Sequence, residues 1–447
     1  MSTQTPRRGK MVNGFDPSTV EHLDARTRAF VQRRSRLLGP AYRLFYADPV
    51  EFVRANDVLM YDADGNEYLD AYNNVVSVGH GHPRVVQAVH EQMQTLCTHT
   101  RYMHAGILDF AEKLLGTFED DIGHMMLTCT GSEANDLALR MAKHHTGNKG
   151  IIVTSEAYHG NSDLSASFSP SLGDNAPLGT WVRRVPAPDM YRVSTEDMGA
   201  WLATEVTKQI DDLNRRGQSI AALVVDSLFS SDGVLAHKEA ILKPAVDAVR
   251  AAGGLFVADE VQCGFARTGS HMWGYQRHDV VPDIVTMGKP MGNGYPVAGV
   301  AMRPNVVEAF GNDMRYFNTF GGNTVAVAAA NATFGVLQDQ DLQANSATVG
   351  AMLKAGIEGL ARNDERIGDV RGAGLYLGIE MVRDRASKTP DAKLALGLVN
   401  AMRRKRVLIS ATGFNANVLK IRPPLTFAAT HVDRFLTTLE GVLYESR

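Results

Sequence analysis

The chain has 447 residues, of which 44% are hydrophobic and 21% charged, and its formal net charge is −3. This length and composition exclude a disordered or collagen-like chain and allow two to three packed domains. A net charge so close to zero gives no reason to expect nucleic acid as a partner. The apolar runs stop well short of the ~20 residues of a spanning helix, so we expect no membrane partner either.

The amino-terminal residues and the cysteines indicate the compartment. Residues 1–10, MSTQTPRRGK, are polar and basic and no apolar stretch follows them, so a secretory signal is not expected. The cysteines are widely separated and fit no zinc-binding spacing, so we expect no metal site; they are Cys97, Cys129 and Cys263. An odd, sparse set of cysteines is typical of a reducing compartment, and we expect a cytoplasmic protein.

Residues 1–75 are expected to form an amino-terminal arm and a segment of a small domain. Residues 1 to about 45 are polar and rich in arginine, which is typical of an arm that packs on another surface. Further on, apolar runs flank Asp64 and Gly65, a pair that strongly favours a tight turn. The sequence therefore predicts a β-hairpin there.

Residues 76–325 are expected to form a large α/β domain. Short, almost continuously apolar runs predict strands that are buried on both faces of a parallel sheet, namely 125–129, 150–154, 221–226, 255–260 and 283–287. Helical patterns at 133–145 and 238–252 lie between these runs. The alternation predicts a doubly wound, mostly parallel sheet. A smaller, helix-rich α+β domain is expected over 326–447, with a final helix near 431–444.

The first candidate site is the segment TCTGSEAND, which follows the predicted strand at 125–129. Gly131 and Ser132 are expected to form a tight turn, and a helix is expected to begin at Glu133. Exposed N–H groups and the helix dipole favour an anion at such a position. The alternative is a plain strand–turn–helix connection in which Ser132 only caps the helix.

A tyrosine in the segment AYHG, 157–160, is the second candidate. Tyr158 lies just after the predicted strand at 150–154 and before a glycine, where its ring could stack on a planar ligand. A packed loop tyrosine is the commoner explanation for such a residue.

Asp259 and Lys289 follow two successive predicted strands, 30 residues apart. A carboxylate at the end of a very apolar strand needs a cationic partner, and a protonated pyridine nitrogen is one. An alternative is that Asp259 caps the following turn. Lys289 lies among Gly288, Gly292 and Gly294, which we expect to let a bulky ligand approach closely. A desolvated lysine can form an imine with an aldehyde, although exposed loop lysines are far commoner.

The ordered motifs resemble those of class III, fold-type I pyridoxal-phosphate enzymes over roughly residues 45 to 445. The motifs that carry the resemblance are GSEAN at 131–135, AYHG at 157–160, DEVQCGFARTG at 259–269, GKPMGNG at 288–294 and FNTFGGN at 317–323. The resemblance implies a large doubly wound, mostly parallel seven-stranded sheet domain and a smaller α+β domain. It also implies pyridoxal 5'-phosphate as the cofactor and a homodimer with active sites at the interface.

The resemblance assigns a role to individual residues of this chain. Lys289 would be the catalytic Schiff-base lysine and Asp259 the partner of the pyridine nitrogen. Tyr158 would stack on one ring face and Val261 would lie against the other, while Gln262 would approach the ring hydroxyl. The phosphate would be bound by Gly131 and Ser132, with Thr319 reaching it from the other subunit.

Within this family the chain resembles the branch of ethanolamine-phosphate phospho-lyases and alanine–glyoxylate aminotransferase 2-like proteins. Many aminotransferases of the class carry a glutamate that gates a substrate-binding arginine, and this chain has Ser231 at that place. Arg422 should then lack its usual anionic partner and be available for a dianionic phosphate. Arg101 is a second candidate for binding substrate, with a structural ion pair as the alternative.

The expected reaction is β-elimination of phosphate from a phosphorylated amino alcohol such as O-phosphoethanolamine, which gives an aldehyde, ammonia and phosphate. The alternative is an ω-aminotransferase of the alanine/pyruvate or glyoxylate type. A non-catalytic regulator built on the same fold is a third reading. It is disfavoured because Lys289 is intact and the amino-terminal arm is too short for a DNA-binding domain.

Overall fold

The computed structural model describes residues 11–447. The strands of this part of the chain are β1 Phe52–Asn56, β2 Leu59–Asp62, β3 Glu67–Asp70, β4 His124–Thr128, β5 Gly150–Thr154, β6 Val182–Val185, β7 Ile220–Val225, β8 Leu255–Asp259, β9 Ile284–Met287, β10 Ala298–Met302, β11 Ile367–Ala373, β12 Tyr376–Met381, β13 Val407–Leu408, β14 Ser410–Thr412 and β15 Val418–Ile421.

Helices account for most of the remaining chain. The α-helices are α1 Ala25–Leu38, α2 Pro83–Thr95, α3 Ala105–Leu115, α4 Gly131–Thr146, α5 Asp163–Ala166, α6 Met198–Arg215, α7 Lys243–Ala251, α8 Pro304–Asp313, α9 Thr324–Asp339, α10 Leu342–Asn363, α11 Ala392–Arg404 and α12 Ala429–Glu445. Short 3-10 helices span Pro17–His22, Pro170–Leu172 and Gly274–His278.

The largest sheet has seven strands in the order β4-β10-β9-β8-β7-β5-β6. Strand β10 runs antiparallel to both of its neighbours, and the other neighbouring pairs are parallel. Strands β5, β7, β9 and β10 are buried along their whole length, as expected when layers cover both faces. The predicted α/β fold with a mostly parallel seven-stranded sheet is confirmed.

Two of these seven strands were not predicted from the sequence. Strand β6 reads VRRV, where two arginines interrupt the apolar run, and β10 reads AGVAM, which is poor in strand-favouring residues. The helix predicted over 238–252 begins only at Lys243. Pro244 explains the late start, because proline suits the first helical turn but not the interior of a helix.

Two smaller sheets are built from the two ends of the described chain. One has the order β1-β2-β3-β13 and the other β11-β12-β15-β14. Strands β2 and β3 form the predicted hairpin, with Gly65 at φ +82°. Strand β13 pairs in parallel with β3, so residues far apart in sequence share one sheet. The domain boundaries at 75/76 and 325/326 remain predictions.

In the amino-terminal arm, helix α1 has Val31 as its buried residue, and its packing on another surface stays a prediction. Residues 1–10, on which the expectation about a secretory signal falls, lie outside the described residues. Across residues 11–447, no helix combines the length and apolar character needed to cross a membrane.

A buried ion network joins the loop after β7 to the carboxy-terminal sheet. Arg371 on β11 and Glu380 on β12 are each 1% exposed, and their side chains lie 2.7 Å apart. Arg371 Nε also donates to the carbonyl of Gly233, 2.9 Å away. Arg192 reaches Glu380 from a third segment, at 2.5 Å. The network therefore holds the loop that contains Asp226 and Ser231 against the smaller sheet.

Candidate active site

A pocket lies at the carboxyl ends of the parallel strands, where α/β sheets bind ligands. The predicted residues that line it are Gly131, Ser132, Tyr158, Asp259, Val261, Gln262 and Lys289. Four further residues that were given no role from the sequence also line it, namely Asn135, His159, Gly160 and Asp226. The structure thus brings together side chains that come from four different strand ends and from α4.

Helix α4 begins at Gly131, two residues before its predicted start, and Thr130 is its N-cap. The Thr130 hydroxyl accepts a hydrogen bond from the Glu133 N–H at 3.1 Å, so the interpretation of Ser132 as the N-cap is wrong. Ser132 instead lies in the first turn, where backbone N–H groups have no acceptor within the helix. This position can receive an anionic group.

Two glycines lie at this end of the pocket, at positions where a side chain would crowd other pocket residues. A Cβ atom at position 131 would lie 3.1 Å from both methyl groups of Val261, so a side chain there would crowd the valine. Gly160 has φ +147°, and a Cβ atom there would lie 2.6 Å from Ser132 Oγ. A larger residue at either position would displace groups that line the pocket.

Asp259 is buried at the end of β8, and its carboxylate accepts hydrogen bonds from three protein groups. Its Oδ2 accepts from His159 Nδ1 at 2.6 Å and from Asn135 Nδ2 at 3.0 Å, and its Oδ1 accepts from the Val261 N–H at 3.1 Å. The contact with Val261 agrees with the turn-capping alternative. The other two contacts orient the carboxylate, so capping and ligand binding are compatible.

His159 and Asn135 are the supporting residues that the sequence reasoning missed. His159 stacks on Phe168 with ring centroids 5.3 Å apart, and Asn135 Oδ1 accepts from the Thr286 hydroxyl at 2.8 Å. The sequence did contain an indication of both residues. His159 follows Tyr158 in the same motif, and Asn135 lies one helical turn after Gly131, on the same face of α4.

Lys289 is partly buried immediately after β9. Burial lowers the pKa of its amine to about 8, and the Arg422 cation adds to this effect, while Asp259 and Asp226 oppose it. A lysine with such a pKa is partly neutral near pH 8 and is therefore a nucleophile.

One of the three glycines near Lys289, Gly292, has a different role from the one expected. A Cβ atom at Gly292 would collide with the carbonyl of Tyr295 and with Val297, so protein atoms occupy the space that was expected to admit a ligand. The expectation for Gly292 is corrected accordingly. Asn293 anchors this loop, since its side chain accepts from the Val78 N–H at 3.0 Å.

Arg422 lies beside the pocket, 7% exposed, and contacts Gln262. Its Nη1 donates to Gln262 Oε1 at 2.5 Å, and its guanidinium carbon lies 4.5 Å from the centroid of the Tyr72 ring. Within residues 11–447 it forms no ion pair, and its buried Nε has no hydrogen-bond partner there. The Ser231 carbonyl accepts from the Gly413 N–H at 3.2 Å.

Two predicted residues lie outside this pocket in their own chain. Arg101 packs over the ring of Phe317, 3.7 Å from its centroid, rather than forming the ion pair considered as its alternative role. Thr319 is exposed in the loop before α9. The structure of one chain therefore does not bring either residue to the other site residues.

The arrangement fits pyridoxal phosphate. A lysine of lowered pKa is available for the aldehyde, an oriented buried carboxylate for the ring nitrogen, and the start of a helix for the phosphate. Tyr158 and Val261 supply an aromatic ring and an apolar side chain for the two ring faces. These features are on the protein and do not depend on any bound group.

Comparison with known proteins agrees with this chemistry. The aminotransferase class-III family model matches residues 46–443. The chain is 37% identical to ethanolamine-phosphate phospho-lyase homolog 1 of Caenorhabditis elegans, over 96% of each chain. It is 40% identical to an alanine–glyoxylate aminotransferase 2-like protein of Drosophila melanogaster, over 91% of this chain and 85% of that one.

Among solved structures, the chain resembles a phospholyase from Arthrobacter in complex with phosphoethanolamine. The TM-score is 0.90 and the identity 40%, over 93% of this chain and 99% of the other. These similarities confirm the fold-type I architecture, the predicted branch and the cofactor, pyridoxal phosphate. The chain belongs to the class III aminotransferase family of pyridoxal-phosphate enzymes.

Proposed function

We propose that this enzyme is a phospho-lyase that eliminates phosphate from a phosphorylated amino alcohol such as O-phosphoethanolamine. The observation that carries the proposal is that Arg422, a buried cation beside the pocket, forms no ion pair within residues 11–447. A guanidinium without a carboxylate partner suits a dianionic phosphate, which it can bind through two N–H groups.

The proposed roles of Lys289 and Asp259 follow from their positions. Pyridoxal phosphate, when bound, supplies an aldehyde that links to amines and a ring that accepts an electron pair. Lys289 then removes the proton from the carbon that bears the substrate nitrogen, acting as a general base. Asp259, oriented by His159 and Asn135, keeps the ring nitrogen protonated.

Arg422 would act on the other end of the substrate. Its unused Nε can donate to the phosphate, whose charge increases as the bond from carbon to oxygen breaks. Departure of phosphate and addition of water then give acetaldehyde, ammonia and phosphate from O-phosphoethanolamine. The relatives support this substrate class, since one is named as a phospho-lyase and one was solved with phosphoethanolamine.

The proposal is tested by incubating the cofactor-loaded enzyme with O-phosphoethanolamine and measuring inorganic phosphate and acetaldehyde. Both products should appear in equal amounts. Arg422→Met should raise the KM for O-phosphoethanolamine by at least about tenfold, because a charged hydrogen bond is lost. Arg101→Met, which removes the other candidate cation, is the matched control. No release of phosphate would contradict the proposal.

An ω-aminotransferase is the second candidate, because one relative is named as an alanine–glyoxylate aminotransferase 2-like protein. The two activities use the same cofactor residues and differ in whether a leaving group is present on the next carbon. Conversion of the cofactor to its amine form by alanine, with no phosphate released from O-phosphoethanolamine, would establish the aminotransferase.

We further propose a homodimer in which Thr319 reaches the partner's cofactor phosphate. Phe317 and Phe320, on the segment that carries Thr319, are exposed, and so is Tyr102, whose ring stacks on His99 beside Phe317. A patch of this kind is typical of a protein interface. Mixing Lys289→Ala with Thr319→Asp chains should restore about one quarter of the sites, since hybrid dimers keep one intact site. No restoration in mixed dimers would contradict the placement of Thr319.

The proposed location is the cytoplasm. The cysteines Cys97, Cys129 and Cys263 are all free, which is compatible with a reducing compartment. Some relatives are named as mitochondrial proteins, so fractionation of cells that express the tagged chain decides between the two compartments.

A further inference from the structure

Lys420 is a buried lysine to which the proposed reaction gives no role. It lies on β15, and Arg422 follows directly after the end of that strand; both side chains reach Gln262. Lys420 is 6% exposed, and within residues 11–447 it forms no ion pair. Burial of a polar amine is costly unless hydrogen bonds compensate for it, so the contacts of Lys420 indicate its role.

Lys420 and two other side chains contact the same atom, the side-chain oxygen of Gln262. Gln262 Oε1 accepts from Arg422 Nη1 at 2.5 Å, from the Tyr376 hydroxyl at 3.2 Å and from Lys420 Nζ at 3.4 Å. A guanidinium can only donate, so the atom that Arg422 meets must be the amide oxygen. The amide nitrogen of Gln262 is therefore the end of the amide that these donors do not engage, and Gln262 lines the pocket.

The position of the ring hydroxyl of pyridoxal phosphate follows from the other proposed contacts. With the ring nitrogen at Asp259, the aldehyde carbon at Lys289 and the phosphate at Ser132, the hydroxyl lies on the side opposite the phosphate. The polar pocket residues not already assigned to the ring nitrogen, the aldehyde or the phosphate include Gln262 and Asp226. A carboxylate such as Asp226 accepts hydrogen bonds, whereas the amide of Gln262 can donate one.

We propose that Lys420 is a positioning residue that, with Arg422 and Tyr376, holds the Gln262 amide so that its NH2 group donates to the ring hydroxyl. This inference rests on the proposed placement of the cofactor. Three donors on the amide oxygen polarise the amide and strengthen its N–H as a donor. A stronger donor stabilises the ionised hydroxyl, which in turn lowers the pKa of the nitrogen that joins Lys289 to the cofactor.

Several charged groups face Lys420 and must be considered in any titration. Burial lowers its pKa well below the ordinary value, and the cations of Arg422 and Lys289 add to this, while the carboxylate of Asp226 opposes it. Replacement of Lys420 by an uncharged residue removes a hydrogen-bond donor and any positive charge. Both changes are expected to raise the pKa of the Lys289–cofactor linkage.

The test is a pH titration of the visible absorbance of the cofactor-loaded enzyme without substrate. In Lys420→Met the apparent pKa of the linkage should rise by about 0.5 unit or more, and in Lys420→Arg, which keeps a donor, it should stay within about 0.2 unit of the unmodified enzyme. A purely structural role would lower the melting temperature without moving this pKa. An unchanged pKa in Lys420→Met overturns the proposal.

If Lys420→Met does not retain the cofactor, Tyr376→Phe decides, because it removes one of the three donors and no charge. A smaller rise in the pKa supports the proposal, and no rise overturns it. The measurement needs no substrate, so failure to release phosphate from O-phosphoethanolamine would leave this result standing. Failure of the unmodified chain to develop the absorbance band would instead overturn the proposed placement of the cofactor.

Discussion

His159 and Asp259 form a buried hydrogen-bonded pair in which Nδ1 lies 2.6 Å from Oδ2. They are 100 residues apart in sequence and come from the loop after β5 and the end of β8. The contact orients the carboxylate that faces the pocket. It also explains how Asp259 is satisfied at a position where an unpaired carboxylate would be costly.

Replacement of His159 by phenylalanine should weaken cofactor binding. The stacking on Phe168 is retained, but a hydrogen bond to a charged group, worth ~1.5–3 kcal/mol, is lost. The dissociation constant for pyridoxal phosphate should rise about 10- to 100-fold, as measured by absorbance titration of the apoenzyme. Phe168→Leu, which leaves the carboxylate contact intact, is the control. Equal affinities in His159→Phe and the unmodified enzyme would contradict this role.

The rate at which the apoenzyme takes up pyridoxal phosphate should depend on pH through Lys289. Its pKa is lowered to about 8 by burial and by the Arg422 cation, so the reactive neutral amine accumulates as the pH rises towards 8. The rate of formation of the absorbance band should rise about tenfold per pH unit below 8 and level off above it. Stopped-flow absorbance measures this rate. An inflection near the ordinary lysine pKa of 10.5 would refute the prediction.

Gly160→Ala should disturb the phosphate end of the pocket. The added Cβ would lie 2.6 Å from Ser132 Oγ, and φ of +147° is unfavourable for alanine. We expect a stability loss of ~1–3 kcal/mol and a cofactor affinity at least about tenfold weaker. Gly217→Ala is the matched control, because Gly217 also has positive φ, +69°, but no atom within 4 Å of the added Cβ. An equal loss of affinity in both variants would show that backbone strain alone is responsible.

The buried pair of Arg371 and Glu380 should contribute strongly to the stability of the folded chain. Arg371→Met leaves a buried carboxylate partly uncompensated, so the free energy of unfolding should fall by ~3–5 kcal/mol in urea denaturation. Lys405→Met removes the exposed pair with Glu445, whose side chains are 52% and 55% exposed, and should cost less than ~1 kcal/mol. A similar cost for the two variants would argue against the proposed importance of the network.

Much of the site was predictable because its signals are local. Asp259 and Lys289 each follow a short apolar run, and such runs indicate buried strands wherever the sheet places them. The carboxyl ends of parallel strands face one edge, so residues just after them were expected to meet. The dependence on local patterns also explains why two strands of the large sheet were not predicted. Strand β6 contains two arginines and β10 is rich in small residues, so neither carries the apolar pattern of its neighbours.

By itself the sequence determined the fold class, the family and which residues follow the strands, since these depend on short-range patterns and ordered motifs. Only the tertiary structure decided which side chains support them. His159 and Asn135 reach Asp259 across 100 and 124 residues, and Arg422 reaches Gln262 across 160. Those contacts depend on strand order and on how the carboxy-terminal sheet packs against the large one. Nearest-neighbour patterns do not encode this packing.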